Sequence, residues 1–302
     1  MRSVQQIIAR NKLADGIFVV LGLLALFIGI ATLLALIVDL ALHGAPRLSW
    51  QFFTSFPSRF AAKAGILSAW VGTCMVMLVT AACAVPLGIA AGTYLEEYAP
   101  KNWVTDIIEI NIANLAGVPS IVYGLMALGL FIYQFNLGQT VLTAGLTLGL
   151  LILPMVIIAT REAVRAIPRN IREAVYALGG TQWQSIRDHV LPYSMGGILT
   201  GVIIAMSRAI GESAPIITIG ALTFIAFLPP APLQATPPFV SFEWLTSPYT
   251  VMPIQMFNWV SRPQEAFHVN AAAAGLVLLL MTLLMNGIAI YLRYRFRKRI
   301  KW

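Results

Sequence analysis

Two opposite charges stand four residues apart in an otherwise uncharged stretch of the chain. Arg208 and Glu212 are the only charged residues between Pro192 and Leu228. At this spacing the two side chains share one face of a helix and can form an ion pair. A guanidinium group presents a planar fork of donors that matches phosphate-type oxyanions. The pair therefore predicts an anion-binding constriction, and an ion pair that only neutralises itself between helices is the alternative.

Residues that disfavour a continuous helix follow this pair. Gly211 and Ser213 flank Glu212, and Pro215 stands two residues further on. These residues lead us to expect that the helix bends or breaks here. Such a break would expose backbone polar groups toward a pathway. Conduction requires a site strong enough to admit an ion and weak enough to release it. Glu212 would orient Arg208 and limit how tightly it holds an anion.

A second polar region covers residues 161–192, and its pattern predicts two short helices within residues 170–191. Two residue pairs fit capping boxes, namely Asn170 with Glu173 and Thr181 with Gln184. The glycines at positions 179 and 180 would separate the two helices. Since proline disfavours helix at the residue before it, we expect the second helix to end at Leu191 and Pro192.

The first of these short helices has an apolar stripe. Residues with apolar side chains recur there at helical spacing, and they are Ile171, Ala174, Val175 and Leu178. An exposed helix-turn-helix with such a face is suited to dock into a groove on a partner protein. An amphipathic connector that lies on the lipid headgroups fits the same periodicity.

The composition assigns the chain to the membrane. It has 302 residues, of which 12 are acidic and 20 basic, so that 11% are charged and 59% hydrophobic, and its mean hydropathy is +0.81. A soluble domain carries about 25% charged residues. A disordered chain is rich in charge and poor in apolar residues. A soluble domain and a disordered chain are therefore both excluded. The net charge of +8 would suggest a nucleic-acid partner only if the bases formed a water-facing patch.

Long uncharged runs predict an all-α polytopic fold, with six transmembrane helices in one domain. A bilayer core of about 30 Å takes roughly 20 apolar residues of helix. The run of residues 110–160 is too long for one helix and fits two, with a hinge at 134–139. The predicted spans are residues 16–38, 65–95, 112–133, 139–160, 194–228 and 269–292. Glycine pairs at GxxxG spacing predict close helix packing, namely Gly88/Gly92, Gly145/Gly149 and Gly197/Gly201.

The distribution of basic residues predicts the orientation. An even number of spans places both termini on the same side of the membrane. If that side is the cytoplasm, 15 basic residues lie inside and 4 outside, which is the bias that the positive-inside rule predicts. The long apolar run after the N-terminal bases favours a retained anchor helix over a cleaved signal peptide. The inside bases are Arg2, Arg10, Lys12, Lys101, Arg161, Arg165, Arg169, Arg172, Arg187, Arg293, Arg295, Arg297, Lys298, Arg299 and Lys301.

No motif predicts chemistry on a substrate. The sequence contains no GxxxxGK, HExxH or GxSxG pattern, so it offers no Walker A loop for ATP. Cys74 and Cys83 lack CxxC spacing, and the three histidines are widely separated. We therefore predict neither a metal site nor a cofactor, and we expect both cysteines to be small buried residues.

The polar region resembles the EAA loop of ABC importer permeases. In that family the loop is a coupling helix held in a cleft of the ATPase subunit. This chain departs from the family's pattern at two positions: it has Val175 in place of a second alanine and His189 in place of an isoleucine. The resemblance implies that the following residues form the ATPase coupling site: Glu173, Ala174, Gly179, Leu191 and Pro192.

Other segments resemble the PstA-type permeases of the phosphate-specific ABC importer. They are Ser207 to Pro215 (SRAIGESAP), Gly117 to Leu125 (GVPSIVYGL), Phe257 to Glu265 (FNWVSRPQE) and Asn270 to Arg293. The resemblance covers most of the chain after about residue 65. In the second segment Pro119 frees a backbone carbonyl and Ser120 supplies a hydroxyl, so Ser120 joins Arg208 and Glu212 as a pathway candidate.

The resemblance implies a type I ABC importer permease fold in the inner membrane, and a subunit that forms half of a phosphate pathway. It also implies a second permease of similar fold, an ATPase dimer and a periplasmic phosphate-binding protein as partners, besides membrane lipid. A permease for another oxyanion, such as molybdate or tungstate, is the alternative, because one arginine does not distinguish tetrahedral anions. A passive channel or secondary transporter is a further alternative, although neither needs a docking loop for an ATPase.

Overall fold

The computed structural model describes residues 4–232 and 239–297, and every regular element in these ranges is helical. Two π-helical stretches, Leu128–Gln134 and Ile186–Val190, extend α5 and join α8 to α9. The α-helices are α1 (Val4–Gly44), α2 (Trp50–Thr54), α3 (Leu67–Glu97), α4 (Trp103–Ala116), α5 (Ser120–Ala127), α6 (Val141–Arg165), α7 (Arg169–Ala177), α8 (Gln182–Ser185), α9 (Leu191–Gly211), α10 (Ala214–Thr218), α11 (Met252–Val260) and α12 (Glu265–Arg297).

The lengths and compositions of these helices confirm a polytopic, all-helical membrane fold. Within the described ranges five helices can cross a membrane, and the bent pair of α4 and α5 makes a sixth if it is one span. The five are Asn11–Arg47, Leu67–Glu97, Val141–Arg165, Gln182–Gly211 and Glu265–Arg295. Arg2, Lys298, Arg299 and Lys301, which enter the charge count, lie outside the described residues, as do residues 233–238.

The third predicted span, residues 112–133, is broken near its start. Helix α4 ends at Ala116, α5 begins at Ser120, and the pair is bent by 103°. Pro119 causes the break, because proline donates no backbone hydrogen bond and disfavours helix at the preceding residue. The Tyr123 hydroxyl donates a 2.8 Å hydrogen bond to the carbonyl of Leu115 and so joins the two halves across the bend.

The helix of the fifth predicted span ends at Gly211, well before residue 228. The expected break beside Glu212 is therefore confirmed. Only the short helix α10 follows, and residues 219–232 are not helical. Gly220 adopts a φ of +83°, a left-handed conformation that glycine tolerates and that ends the α10 turn.

At its other end the same helix extends further than expected. Residues Gln182–Gly211 form one continuous span, so the prediction that a short helix ends at Leu191 and Pro192 is wrong. The π-helical turn Ile186–Val190 precedes the proline directly. A wider π turn accommodates the proline ring and its missing N–H, which would otherwise break the helix. The polar loop and Arg208 thus lie at opposite ends of one helix.

Small residues bring the central helices together. A Cβ atom on Gly88 would lie 2.6 Å from a side-chain atom of Val156 on α6. Likewise, a Cβ on Gly201 of α9 would lie 2.1 Å from Ala159. Close approach of this kind is what the glycine pairs predict, and α3, α6 and α9 form the core in this way. The side chain of Cys74 is exposed, so its expected burial is wrong, because a small apolar residue on α3 can face outward toward lipid as well as inward.

Candidate functional site

Arg208 and Glu212 form the expected ion pair at the end of α9. The Nε atom of Arg208 donates to Oε1 of Glu212 at 3.2 Å. Glu212 is the residue at which the helix ends, and its backbone N–H donates to the carbonyl of Ala209. The pair therefore stands where the backbone leaves the helix, and not in the middle of a straight helix.

The guanidinium group of Arg208 is held on one side and open on the other. Its Nη1 atom contacts the sulfur of Met155 on α6 at 3.4 Å. Its Nη2 atom has no hydrogen-bond partner in residues 4–232 and 239–297. The side chain is 35% exposed, whereas that of Glu212 is 18% exposed. A partly exposed guanidinium with free N–H groups can accept an anion in the plane of its fork.

The carboxylate side of the pair faces a small cavity of about 10 Å³, next to α3. Thr73, Met77 and Val251 line this cavity together with Glu212. The Thr73 hydroxyl accepts a hydrogen bond from the backbone N–H of Met252, which attaches the segment before α11 to α3. Nearby in that segment, burial raises the pKa of the Tyr249 phenol, so this side chain stays neutral.

Two of the four segments that resemble phosphate permeases, residues 117–125 and 207–215, lie against each other. Gly124 of α5 packs on α10 so closely that a Cβ would lie 2.7 Å from the Cα of Pro215. Ser120 begins α5 one turn earlier and is half-buried. Within the described residues its hydroxyl has no hydrogen bond to Arg208 or Glu212. The structure thus brings the helix of Ser120 to the site, but not its hydroxyl into the ion pair.

The polar loop has the helix-turn-helix form that the sequence predicts. Helix α7 ends in a Schellman motif, in which the N–H groups of Gly179 and Gly180 donate to the carbonyls of Tyr176 and Val175. Gly179 adopts a φ of +81°, which favours glycine, and the space where a Cβ would stand is open. The turn is therefore tight, and its outer side is free for a partner.

The start of the second helix agrees with the sequence, and the start of the first does not. The capping box of Thr181 and Gln184 is confirmed. The one predicted for Asn170 and Glu173 is wrong, because α7 begins after Pro168 and has no side-chain cap. Proline presets a backbone angle suited to helix entry and replaces the capping residue here.

The coupling residues fall into two groups. Glu173, Ala174 and Gly179 are exposed on α7 and its turn, with no ion pair to Glu173 in the described part of the chain. Leu191 and Pro192 are half-buried within the continuous helix. Around the first group lie exposed apolar side chains, including Leu178 at 90% exposure. Of the residues predicted to couple to an ATPase, those on α7 and its turn are therefore exposed, whereas Leu191 and Pro192 belong to the helix behind them.

A network of ion pairs behind α7 was missed by the sequence reasoning. Arg161 of α6 lies 2.6 Å from Glu109 of α4 and 3.7 Å from Glu96 of α3, and Arg165 lies 2.9 Å from Glu96. These residues line a cavity of about 630 Å³. The arginines entered the sequence argument only as charges that orient the chain. Glu96 and Glu97 stand next to each other at the end of an uncharged run. This pattern was a signal that basic residues such as Arg161 and Arg165 have acidic partners.

Comparison with known proteins agrees with this architecture. A family model described as the binding-protein-dependent transport system inner membrane component matches residues 84–302. The probable ABC transporter permease protein YqgI of Bacillus subtilis is 34% identical over 262 residues, which cover 86% of this chain and 81% of that protein. The phosphate transport system permease protein PstA of Pasteurella multocida is 30% identical over 280 residues, which cover 91% of this chain and 93% of that protein.

A solved structure gives the same result for the fold. A chain from the inward-facing MetNI methionine ABC transporter aligns with a TM-score of 0.57, at 14% identity, over 76% of this chain and 95% of that chain. The helices, the exposed loop and the family match therefore agree. The chain belongs to the binding-protein-dependent transport system inner membrane components, and it is a permease subunit of an ABC importer with the type I permease fold.

Proposed function

We propose that this permease forms half of the translocation pathway for inorganic phosphate in an ATP-driven importer. The observation that carries the proposal is the position of Arg208. Its partly open guanidinium group stands at one end of the helix Gln182–Gly211, whose other end adjoins the exposed turn at Gly179. Several relatives about 30% identical to this chain are phosphate transport system permeases, which supports phosphate as the anion.

Arg208 would bind the anion, and Glu212 would prevent it from binding too tightly. The free N–H groups of Arg208 match two oxygens of a tetrahedral oxyanion. Glu212 already occupies the Nε side, so an arriving anion competes with a carboxylate for the same positive charge. A site with this competition holds an anion transiently, which conduction requires.

The helix between the two sites would transmit the movement of the ATPase. About 26 residues separate Gln182 from Arg208, which corresponds to roughly 39 Å at 1.5 Å per residue. The residues Gln182–Gly211 form one span without a break, so a displacement at one end would be transmitted along the helix axis. Helix α6, which leads into α7 through the turn at Pro168, would move with it.

The partners follow from this assignment. A separate ATPase dimer would dock on α7 and its turn, a second permease of similar fold would complete the pathway, and a phosphate-binding protein would deliver the anion from the periplasm. The chain would cross the inner membrane with both termini in the cytoplasm, surrounded by lipid. The sequence contains no Walker A motif, so a partner would hydrolyse the ATP.

The test is anion selectivity in the reconstituted complex. This permease, its second permease and the ATPase would be placed in liposomes, with the binding protein on the side from which the anion is delivered. We expect phosphate to be taken up and to stimulate ATP hydrolysis, with sulfate, molybdate and tungstate inactive. Uptake of molybdate or tungstate without uptake of phosphate would replace phosphate by another oxyanion and would leave the assignment as an importer permease intact.

A further inference from the structure

Glu97, the last residue of α3, holds an arginine from the docking helix. Its two carboxylate oxygens accept hydrogen bonds from Nε of Arg172 at 3.0 and 3.2 Å, and Nη2 of Arg172 also donates to Oε1. The two side chains are only 7% and 14% exposed. This is a bidentate, largely buried ion pair between α3 and α7, and such pairs are geometrically specific.

Arg172 contacts the end of α6 as well. Its Nη1 atom donates to the carbonyl of Ile167 at 2.8 Å, and its Nη2 atom donates to that of Val164 at 3.1 Å. The last carbonyls of a helix have no partner within the helix. Val164 lies in the last turn of α6 and Ile167 lies two residues beyond its end, so one side chain of α7 contacts the ends of both α3 and α6.

The start of the second short helix is attached at the same position. Nε2 of Gln182 donates to the backbone carbonyl of Glu97 at 2.6 Å. An acidic residue at a helix C-terminus is unfavourable, because the helix dipole is negative there. Arg172 compensates for this charge. Glu97 therefore receives contacts from both sides of the turn at Gly179, through its carboxylate and through its carbonyl.

Helix α3 continues from Glu97 to the ion pair in the membrane. Its residues Thr73 and Met77 line the small cavity beside Glu212. About 20 residues separate Met77 from Glu97, or roughly 30 Å of helix. The close contact of Gly88 with Val156 couples α3 to α6 along this length.

We infer that Glu97 is a positioning residue for transport, which transmits the movement of α7 through α3 to the Glu212 side of the pathway. The helix Gln182–Gly211, which leads to Arg208, starts at the same position through the hydrogen bond of Gln182, but only the α3 route uses the carboxylate of Glu97. The inference depends on the proposed function, because it requires an ATPase docked on α7. With Glu97 neutralised, the ATPase remains docked, but its movement reaches only the Arg208 side.

The experiment uses the whole reconstituted complex and three variants. They are Glu97→Gln, Arg172→Gln and the double variant, compared with Arg187→Gln as a matched control. Arg187 is a base of the same polar region, and its only ion pair in the described chain is with its neighbour Asp188. Three quantities are measured: ATPase retained on the permease, basal ATP hydrolysis, and anions transported per ATP hydrolysed.

We expect Glu97→Gln to retain the ATPase and its basal hydrolysis, while the number of anions per ATP falls by roughly fivefold or more, as for a coupling free energy of 1–3 kcal/mol. Arg172→Gln should have at least this effect, because it also removes the hydrogen bonds to Ile167 and Val164. The double variant should be no worse than Arg172→Gln alone, because Glu97 has then already lost its arginine partner. Arg187→Gln should remain close to the wild type.

Two results would overturn the inference. A wild-type ratio of anions to ATP in Glu97→Gln would mean that α3 does not transmit the movement. Loss of the ATPase from Glu97→Gln would mean that the pair only maintains the docking surface. The proposed function fails differently: in that case the wild-type complex itself would not retain the ATPase or would not transport phosphate.

Discussion

The chain contains two arginine–carboxylate pairs of opposite character. Arg172 and Glu97, at the end of α3, are nearly buried, and the guanidinium donates to both carboxylate oxygens and to backbone carbonyls. Arg208 and Glu212, at the end of α9, share a single hydrogen bond of 3.2 Å, and Arg208 is 35% exposed. The first pair is saturated, because every guanidinium nitrogen of Arg172 has a hydrogen-bond acceptor. The second is not, because Nη2 of Arg208 has no acceptor among the described residues.

This difference separates a structural connection from a binding site. A saturated pair has no donor left for a ligand, and removal of one partner leaves a buried charge without compensation. An unsaturated pair in a membrane chain keeps free N–H groups at a considerable solvation cost. The comparison therefore supports the two proposals, that Arg208 binds the anion and that the pair of Arg172 with Glu97 transmits movement. The following predictions test this division.

The largest effect is expected for Arg208→Ala. Loss of a charged hydrogen-bond donor at a binding site costs roughly 2–5 kcal/mol, so phosphate uptake should fall at least about 30-fold. Arg208→Lys keeps the charge but loses the planar fork, and should recover only part of the uptake. Uptake into liposomes measures both, and co-purification confirms that the complex assembles.

The control for this variant is Arg293→Ala. Arg293 is also half-buried and contacts the α9 helix, where it donates to the Thr200 hydroxyl at 2.9 Å. Its removal should leave uptake within about twofold of the wild type, because Thr200 lies roughly 12 Å along α9 from Arg208. Equal losses in both variants would remove the distinction on which the comparison rests.

The next effect is expected for Gly179→Asp, on the docking side. The position is open and its φ is +81°, so an aspartate introduces a charge directly into the surface on which the ATPase is proposed to dock. The yield of co-purified ATPase should fall at least about tenfold, which corresponds to 1.4 kcal/mol. Gly179→Asn is the matched control, because asparagine tolerates the same backbone conformation without a charge. Equal yields for the two variants would show that charge at this position does not matter.

A smaller effect is expected for Glu212→Gln. Neutral glutamine no longer competes with the anion, so the anion should bind more tightly and leave more slowly. A partly exposed ion pair is worth about 1 kcal/mol or less, so the KM and the maximal uptake rate should each fall by about fivefold or less. Concentration-dependent uptake measures both. A higher KM in this variant would contradict the role given to Glu212.

The smallest effect is expected for Thr181→Ala, which removes the confirmed cap of the second short helix. Loss of such a cap costs about 1 kcal/mol of stability. The thermal unfolding of the purified complex should therefore shift down slightly, with little change in uptake. Thr181→Ser retains the capping hydroxyl and should match the wild type. A large loss of uptake in Thr181→Ala would assign this turn to transport as well as to docking.

Much of the site was predictable because its signals are local. The spacing of Arg208 and Glu212 predicted their pairing, and Gly211 with Pro215 predicted the break beside them. The turn at Gly179 was predictable in the same way, from two glycines between two helical patterns. Local rules failed at Pro192, where a π turn keeps the helix continuous, and at Asn170, where Pro168 begins the helix instead.

Composition and short-range spacing determine the membrane location, the helical class and the positions of the two candidate segments, since apolar length and charge act through residues near in the chain. They do not determine which residues those segments contact. Glu97 meets Arg172, and Gly124 meets Pro215, across 75 and 91 positions of the sequence. Such contacts depend on how closely α3 approaches α7 and α5 approaches α10, which only side-chain packing decides. The sequence thus contained both arginines, and the tertiary structure distinguished the saturated one from the one left open.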